Sequence, residues 1–237
     1  MIITSKDNPK IKELMKLSKK SEREEKKCFI VEGEHLVREA REKGVLIEAY
    51  SIEEKEGYQA LSIDVMKKLC HTDTVVKEIG LCKMLNSKTL SNKLLILDKI
   101  QDPGNLGALM RSAYAFGFDT IILNHGSVDI YNDKVIRTSQ GAIFKLNFRY
   151  EDLKTFIPTL TSYKVYGTNV INGISLDDAV FDDKVALVLG NEGNGISNIV
   201  EKNCDFIAKI PMYGKTNSLN ASVAAGIMIY EVIRNRK

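Results

Sequence analysis

The sequence predicts an α/β protein: a mostly parallel sheet covered by helices on both faces, preceded by a small α/β/α unit. Apolar, β-type runs recur through the C-terminal part of the chain, and the segments between them are long enough for crossover helices. This alternation is typical of a parallel sheet that is buried on both sides. The runs are LLILD, TIILN, KVYGT, KVALVLG and FIAKI.

Composition limits the class of protein. The chain has 237 residues, of which 44% are hydrophobic and 27% charged, as in ordinary globular proteins. Its cysteines form no CxxC pair and its histidines no zinc spacing, so we expect free thiols in a reducing cytoplasm and no metal site. The N-terminus lacks the apolar core of a signal peptide, and the run VAAGIMIY is too short for a membrane span. His35, His71 and His125 have no partner pattern, and we interpret them as structural or exposed.

The N-terminal region is predicted to form a separate domain. Residues 1–27 contain nine Lys or Arg and five Asp or Glu, which indicates either a solvated helical face with ion pairs or a basic arm that contacts a phosphate backbone. CFIVEGEHLVREAREKGVLIEAYSI predicts strand, helix and strand, with Gly44 ending the helix. Apolar periodicity stops at LNSKTLSNK, so we predict domains at 1–88 and 94–237.

The segment QDPGNLGALMRSAYAFG follows an apolar strand and opens a helix, as nucleotide-binding loops do. It lacks one glycine of the G-x-G-x-x-G fingerprint, and no G-K-[ST] follows Gly107. Asn105 and Arg111 project from its helical frame. An arginine in this position is either a surface ion-pair residue or a functional one.

Two later segments also join a strand to a polar or glycine-rich loop. In VALVLGNEGNGIS the glycines allow backbone to approach a ligand closely, although Glu192 could simply cap the next helix. In IPMYGKTNSLNASVAAGIMIYEVIRN a polar loop enters a helix that is apolar on nearly every side from Val223 to Tyr230. Such a helix is expected to be buried on every side, against the sheet and a second subunit, unless it is an ordinary core helix.

Together the three segments resemble the signature motifs of the SpoU (TrmH) family of RNA ribose 2′-O-methyltransferases, in the SPOUT superfamily. The resemblance covers residues 94–237 through LDKIQDPGNLGALMRSAYAFG, LVLGNEGNGIS and IPMYGKTNSLNASVAAGIMIYE. The N-terminal part is similar to the ribosomal-protein-like substrate-binding domain of rRNA-modifying members, through SKDNPKIKELMKL and FIVEGEHLVREA.

The resemblance implies a SPOUT-type sheet with a C-terminal trefoil knot, although protein chains almost never knot. It further implies a cytoplasmic homodimer that binds S-adenosylmethionine and RNA, and neither DNA nor a membrane. Backbone positions matching the family's cofactor site are Gly190, Ile210 and Leu219, with Thr168 and Asn169 in a further cofactor loop.

For catalysis the resemblance assigns Arg111 to the substrate phosphate and to activation of the ribose hydroxyl. Asn105, Glu192, Ser218 and Asn220 arrange the site, and no metal takes part. A guanidinium normally keeps its proton, so we expect Arg111 to stabilise alkoxide charge while the proton leaves through phosphate or water, rather than to act as the general base. The expected substrate is rRNA. The alternatives are tRNA, an inactive RNA-binding relative, and a dinucleotide-dependent oxidoreductase.

Overall fold

The computed structural model describes residues 2–72, 74–86, 89–169, 172–215 and 218–235. Contacts between residues divide the chain into two compact units, Met1–Leu85 with Asp129–Phe144 and Asn86–Val128 with Lys145–Lys237. We call them the first unit and the second unit. Within the described ranges, no helix combines the length and the apolar character needed to cross a bilayer.

The described elements are as follows. The helices are α1 (Pro9–Lys16), α2 (Lys20–Lys26), α3 (Glu34–Glu42), α4 (Ile63–Leu69), α5 (Pro103–Ala115), α6 (Asp133–Ser139), α7 (Leu153–Phe156), α8 (Asn198–Glu201) and α9 (Ala221–Arg234). The strands are β1 (Cys28–Glu32), β2 (Leu46–Ser51), β3 (Gln59–Ala60), β4 (Glu78–Lys83), β5 (Lys93–Asp98), β6 (Thr120–Asn124), β7 (Asn147–Glu151), β8 (Lys164–Thr168), β9 (Ile174–Ser175), β10 (Val185–Gly190) and β11 (Phe206–Lys209).

The first unit contains a sheet in the order β1-β4-β2-β3, in which β4 is antiparallel to both of its neighbours. The predicted strand, helix and strand are confirmed as β1, α3 and β2. Gly44 follows α3 with φ of +74°, in the left-handed region that commonly ends helices. The central strand β4 was not predicted, because EIGLCK is short and merges in the sequence with the polar segment that we interpreted as a domain junction.

The charged N-terminus forms α1 and α2 with a clear division between faces. Asn8 caps α1, and Ile11 and Leu14 are buried. Its exposed side carries ion pairs such as Lys12–Asp7 at 2.8 Å. This arrangement matches the solvated, ion-paired face that we considered for residues 1–27.

Residues 129–144 lie in the sequence between β6 and β7, which belong to the sheet of the second unit. These residues nevertheless pack within the first unit. The nearly buried pair Arg23–Asp129 joins them to α2, with Nη2 and Oδ2 2.6 Å apart. The ring of Tyr131 lies 4.7 Å from that of Phe29, centroid to centroid. The first unit is therefore built from two separate stretches of the chain.

The second unit contains a parallel sheet in the order β7-β6-β5-β10-β8-β11-β9. The five predicted runs are confirmed as β5, β6, β8, β10 and β11. Alternate residues of the central strands contribute to a core on one face that includes Leu94, Ile122 and Val188. Helices α5 and α9 pack on each other, and α9 also contacts β10. The sheet is buried as its apolar strands require.

Candidate active site

The site forms where the central strands β5 and β10 end side by side. In the parallel register, Asp98 is paired with Gly190, so the loops after both strands leave the sheet together. Ligands in open α/β sheets bind at this carboxyl edge. The strand order therefore brings together two motifs that are about 90 residues apart in the sequence.

A closed glycine loop follows β10. Asn191 and Gly195 exchange two backbone hydrogen bonds of 2.9 Å each. A Cβ on Gly190 would lie 1.9 Å from the carbonyl carbon of Gly195 and 2.0 Å from the nitrogen of Ile196, so only glycine fits there. The side chain of Asn191 donates to the carbonyl oxygen of Lys99 at 2.9 Å, which joins this loop to the one after β5.

Asp98, the last residue of β5, is a buried carboxylate that connects the loops at this edge of the sheet. Its side chain is buried, and the residue is 1% exposed. One oxygen accepts from the backbone N–H and the hydroxyl of Ser197, at 2.9 and 2.7 Å, and the other accepts from Nδ2 of Asn124 at 2.6 Å. Three donors compensate for the loss of hydration of the buried carboxylate. Asp98 therefore joins the ends of β5 and β6 to the end of the glycine loop.

Glu192 faces the start of α5. Its carboxylate accepts from Nδ2 of Asn105 at 3.1 Å and, more weakly, from the backbone N–H groups of Gln101 and Asp102 at 3.5 and 3.4 Å. The next helix, α8, begins after Ser197 without a side-chain cap. Glu192 thus does not cap the helix that follows it, which was the simpler alternative for this residue.

Asn105 and Asn220 extend this contact to α9. Oδ1 of Asn105 accepts from Nδ2 of Asn220 at 3.0 Å, while Oδ1 of Asn220 caps α9 by accepting from the N–H of Ser222 at 2.9 Å. These bonds orient both amides completely, because each amide both donates and accepts. Three of the predicted catalytic residues, Glu192, Asn105 and Asn220, therefore form one hydrogen-bonded network.

The other two predicted catalytic residues, Arg111 and Ser218, lie on α5 and in the loop before α9. Arg111 is exposed on α5 and has no hydrogen bond or ion pair within the described residues. The surface ion pair that we considered for it is therefore not observed. Ser218 is an exposed residue in the loop before α9, two positions ahead of Asn220.

Four of the five predicted cofactor residues lie at or just beyond the carboxyl ends of adjacent strands. Gly190 ends β10, Thr168 ends β8, and Ile210 directly follows β11, and these three strands are neighbours in the sheet. Asn169 donates its N–H to the carbonyl oxygen of Ala208 at 3.1 Å. Leu219 is half-buried next to Asn220. This set offers backbone polar groups and apolar side chains at one edge, which suits a nucleoside ligand that carries its own charge.

Helix α9 is not buried on every side within the chain. Ala225, Met228, Ile229 and Val232 are buried, but Val223, Ile227 and Tyr230 are 52%, 37% and 50% exposed. Helix α9 therefore buries one side within the chain and exposes the other. The side predicted to meet a second subunit is open within the single chain.

Sequence reasoning missed Asp98, Ser197, Asn124 and Lys99; it placed Asn191 in the glycine loop but not its hydrogen bond to the loop after β5. A signal existed for Asp98, because a carboxylate that ends a run of buried apolar residues lies at the carboxyl edge of a parallel sheet. Asn124 ends the neighbouring apolar run in the same way. Ser197 and Lys99 have no such signal, since their contacts depend on which strands are adjacent.

The model of the SpoU rRNA methylase family matches residues 92–230, which include this entire site. The chain belongs to the SpoU rRNA methylase family. An MRM3-like substrate-binding domain matches residues 8–79. These matches confirm the family expected from the three motifs, and with it an RNA methyltransferase that uses S-adenosylmethionine.

Two relatives illustrate how far the similarity extends. The 23S rRNA (guanosine(2553)-2′-O)-methyltransferase RlmP of Bacillus subtilis is 33% identical over 243 aligned positions, covering 97% of this chain and 98% of that protein. A putative TrmH family tRNA/rRNA methyltransferase of Staphylococcus aureus is 40% identical over 157 residues, covering 65% of this chain and 63% of that protein. The first similarity thus includes the N-terminal part, and the second covers about two thirds of the chain.

Solved structures agree with this SpoU family fold. An AdoMet-bound rRNA methyltransferase from Sinorhizobium meliloti superimposes with a TM-score of 0.90 at 25% identity, covering 99% of this chain and 97% of that one. An RNA 2′-O ribose methyltransferase has a TM-score of 0.85 at 28% identity, covering 99% of both chains. The expected SPOUT-type α/β fold is therefore confirmed.

Proposed function

We propose that this SpoU family enzyme methylates the 2′-hydroxyl of a ribose in 23S rRNA, with S-adenosylmethionine as the methyl donor. The observation that carries this proposal is the similarity to the Bacillus subtilis 23S rRNA 2′-O-methyltransferase, which spans nearly the full length of both chains. The hydrogen-bonded Glu192–Asn105–Asn220 network adds support, because it joins residues from all three motifs at the edge where ligands bind.

The cofactor would be held by the backbone around Gly190, Ile210 and Leu219, with Thr168 and Asn169 as a further contact. Support comes from the chemistry of this set, which is apolar or small and contains no charged side chain. When bound, S-adenosylmethionine supplies an electrophilic methyl group. The task left to the protein is to orient the ribose hydroxyl and to manage its proton.

Arg111 would bind an RNA phosphate and stabilise negative charge on the attacking oxygen. Its exposure and its lack of a partner within the described residues support this role, since the guanidinium is not neutralised. The guanidinium keeps its proton, so the hydroxyl proton leaves through the phosphate or water. Asn105, Glu192 and Asn220 keep the loops around the hydroxyl in place, and Ser218 contributes its hydroxyl from the loop before α9.

The domain predicted at residues 1–88 would bind the RNA substrate, and the domain predicted at residues 94–237 would carry out methyl transfer. The match of residues 8–79 to an MRM3-like substrate-binding domain supports this division.

The enzyme would act as a homodimer. Val223, Ile227 and Tyr230 form one apolar stripe on α9, and Tyr114 on the adjoining helix α5 is 48% exposed. Covering this face with a second copy removes it from water. Sedimentation of Tyr230→Glu should shift the protein to the monomer, while Ile199→Glu, at a similarly exposed apolar residue on α8, should not. A wild-type monomer at micromolar concentration would contradict the dimer.

The chain would be knotted near its C-terminus and would work in the cytoplasm. The knot is supported by the sheet order, in which β10 lies between the earlier strands β5 and β8 before α9 returns to pack on α5. The cytoplasm is supported by the free thiols Cys28, Cys70, Cys82 and Cys204, which fit a reducing compartment.

The experiment is methyl transfer from labelled S-adenosylmethionine to 23S rRNA and to tRNA, followed by mapping of 2′-O-methyl sites in RNA from cells with and without the gene. Labelling of 23S rRNA alone is the expected result. Labelling of tRNA alone would favour the second candidate, which is supported by the Staphylococcus aureus relative named as a tRNA/rRNA methyltransferase. RNA binding without transfer would indicate an inactive relative. Calorimetric binding of NAD without S-adenosylmethionine would indicate an oxidoreductase instead.

A further inference from the structure

Lys99 has an unusual backbone conformation beside the site. Its φ is +61°, in the left-handed region that disfavours residues with a Cβ. The other non-glycine residues with positive φ in the described chain, Lys27 and Gln140, are the C-terminal caps of α2 and α6, where this conformation is common. Lys99 instead lies between the end of β5 and the turn into α5, where no helix end requires it.

The surroundings of Lys99 impose this conformation. The carbonyl oxygen of Lys99 accepts from Nδ2 of Asn191 at 2.9 Å. On one side, Asp98 is buried and hydrogen-bonded; on the other, the carbonyl oxygen of the buried Ile100 accepts from the N–H of Val128 at 2.9 Å. The backbone of Lys99 is therefore held on both sides, and its side chain leaves from a rigid position. A glycine would adopt this backbone without strain, whereas the lysine adds a charged side chain at this position.

The side chain of Lys99 is exposed and its charge is not neutralised. Its Cγ and Cδ atoms lie 3.7 and 4.0 Å from the position that a Cβ on Gly126 would occupy, so the stem runs beside the turn after β6. Asp98 and Glu192 belong to the same loops, yet their carboxylates accept from other donors. Within the described ranges of the chain, Lys99 forms no ion pair. The ammonium group of Lys99, which extends from a backbone held by hydrogen bonds, is thus available to an anion at the carboxyl edge of the sheet.

We propose that Lys99 binds a phosphate of the RNA substrate at the β5–β6 side of the active site, separately from Arg111. This inference rests on the proposed function, because it assumes that the RNA strand crosses this edge of the sheet. Phosphate contacts position a nucleic acid without reading its sequence. A lysine acts there as a point charge, and each such contact adds to the salt dependence of binding.

The test is Lys99→Gly, which relieves the backbone and removes the charge. We expect the variant to unfold at an equal or higher temperature than the wild type. Its affinity for a 23S rRNA transcript should fall at low salt, and the slope of log K against log salt should become shallower by about one. The KM for RNA should rise, while kcat at saturating RNA and the affinity for S-adenosylmethionine stay near the wild-type values.

Three further variants distinguish the effect of removing the charge from the effect of relieving the backbone conformation. Lys99→Arg keeps the charge and the strain and should restore the salt slope. Gln140→Gly relieves a similar conformation without a change of charge, and Lys164→Gln removes a charge from the amino end of β8, at the opposite edge of the sheet; neither should change the slope. If Lys99→Gly does not fold, Lys99→Asn tests the same point, because asparagine tolerates this conformation.

An unchanged salt slope in Lys99→Gly, or a slope that Lys99→Arg does not restore, would overturn the role of Lys99. A wild-type protein that transfers no methyl group to any RNA would overturn the proposed function instead. The binding measurements need no turnover, so they decide about Lys99 in either case.

Discussion

Replacing Asp98 by alanine tests whether the buried carboxylate holds the active-site loops together. The variant removes the acceptor for the N–H and hydroxyl of Ser197 and for the amide of Asn124. The end of the glycine loop and the end of β6 then lose their common anchor. We expect lower stability and weaker binding of S-adenosylmethionine, because both depend on the position of these loops.

The magnitude follows from the three hydrogen bonds. Hydrogen bonds to a charged acceptor contribute about 1.5–3 kcal/mol each. Ser197 and Asn124 are only half-buried, so water replaces part of what they lose. We therefore expect Asp98→Ala to lower the free energy of unfolding by about 3 kcal/mol. Urea unfolding followed by circular dichroism measures the stability, and calorimetry measures the affinity for the cofactor.

A matched exchange makes the test specific. Asp98→Asn keeps the shape but directs one NH₂ group towards Nδ2 of Asn124 or the backbone N–H of Ser197, both of which are donors in the wild-type protein. Adding Asn124→Asp restores a donor–acceptor pair, and the amide oxygen at position 98 can still accept from Ser197. The double variant should recover part of the lost stability. A loss below about 0.5 kcal/mol in Asp98→Ala, or no recovery in the double variant, would refute the anchoring role.

Four other predictions concern separate features. Arg111→Lys should lose most of the turnover with little change in the affinity for S-adenosylmethionine, because lysine lacks the planar fork; near-normal single-turnover rates would contradict this. Gly190→Ala should destabilise the second unit and abolish cofactor binding, since its Cβ has no space; unchanged calorimetric affinity would show otherwise. A hydrogen bond to Glu32 raises the pKa of His71, so this pair stabilises the fold fully below about pH 6.5 and less as pH rises through the folded-state pKa. The stability lost in His71→Asn should accordingly be larger at pH 6 than at pH 9, and equal losses in urea titrations would count against the pair. Burial raises the pKa of Cys204 to about 12, so this thiol should react with a disulfide reagent at pH 8 only after unfolding; rapid labelling of the native protein would be the opposite result.

Much of the fold could be predicted from apolar runs alone. The runs LLILD, TIILN and VALVLG consist mainly of apolar residues, and such runs predict strands of a parallel sheet covered on both faces. The structure buries these strands on both faces, and their prediction needed no information about which strands are adjacent. The strand β4 could not be recognised in this way, because its burial depends on antiparallel pairing with β1 and β2. Likewise, nothing in residues 129–144 indicates that they pack within the first unit.

For the candidate site, too, the sequence predicts individual residues but not the contacts between them. Asn105, Glu192 and Asn220 were predicted from the resemblance of their three motifs to those of the SpoU family. Their mutual hydrogen bonds required β10 to lie directly beside β5, and strand order is not encoded in local periodicity. The left-handed conformation of Lys99 was equally invisible, since no local signal requires it.

The sequence by itself determined the types of element, the covered parallel sheet and the three loops that carry the predicted catalytic residues, because burial and turn formation depend on residues close together in the chain. Only the tertiary structure decided that Asp98 anchors the glycine loop, that Glu192 faces α5 rather than capping α8, and that one side of α9 stays open. Each of these depends on contacts between residues far apart in the chain, and such contacts form only when the strands adopt their order in the sheet.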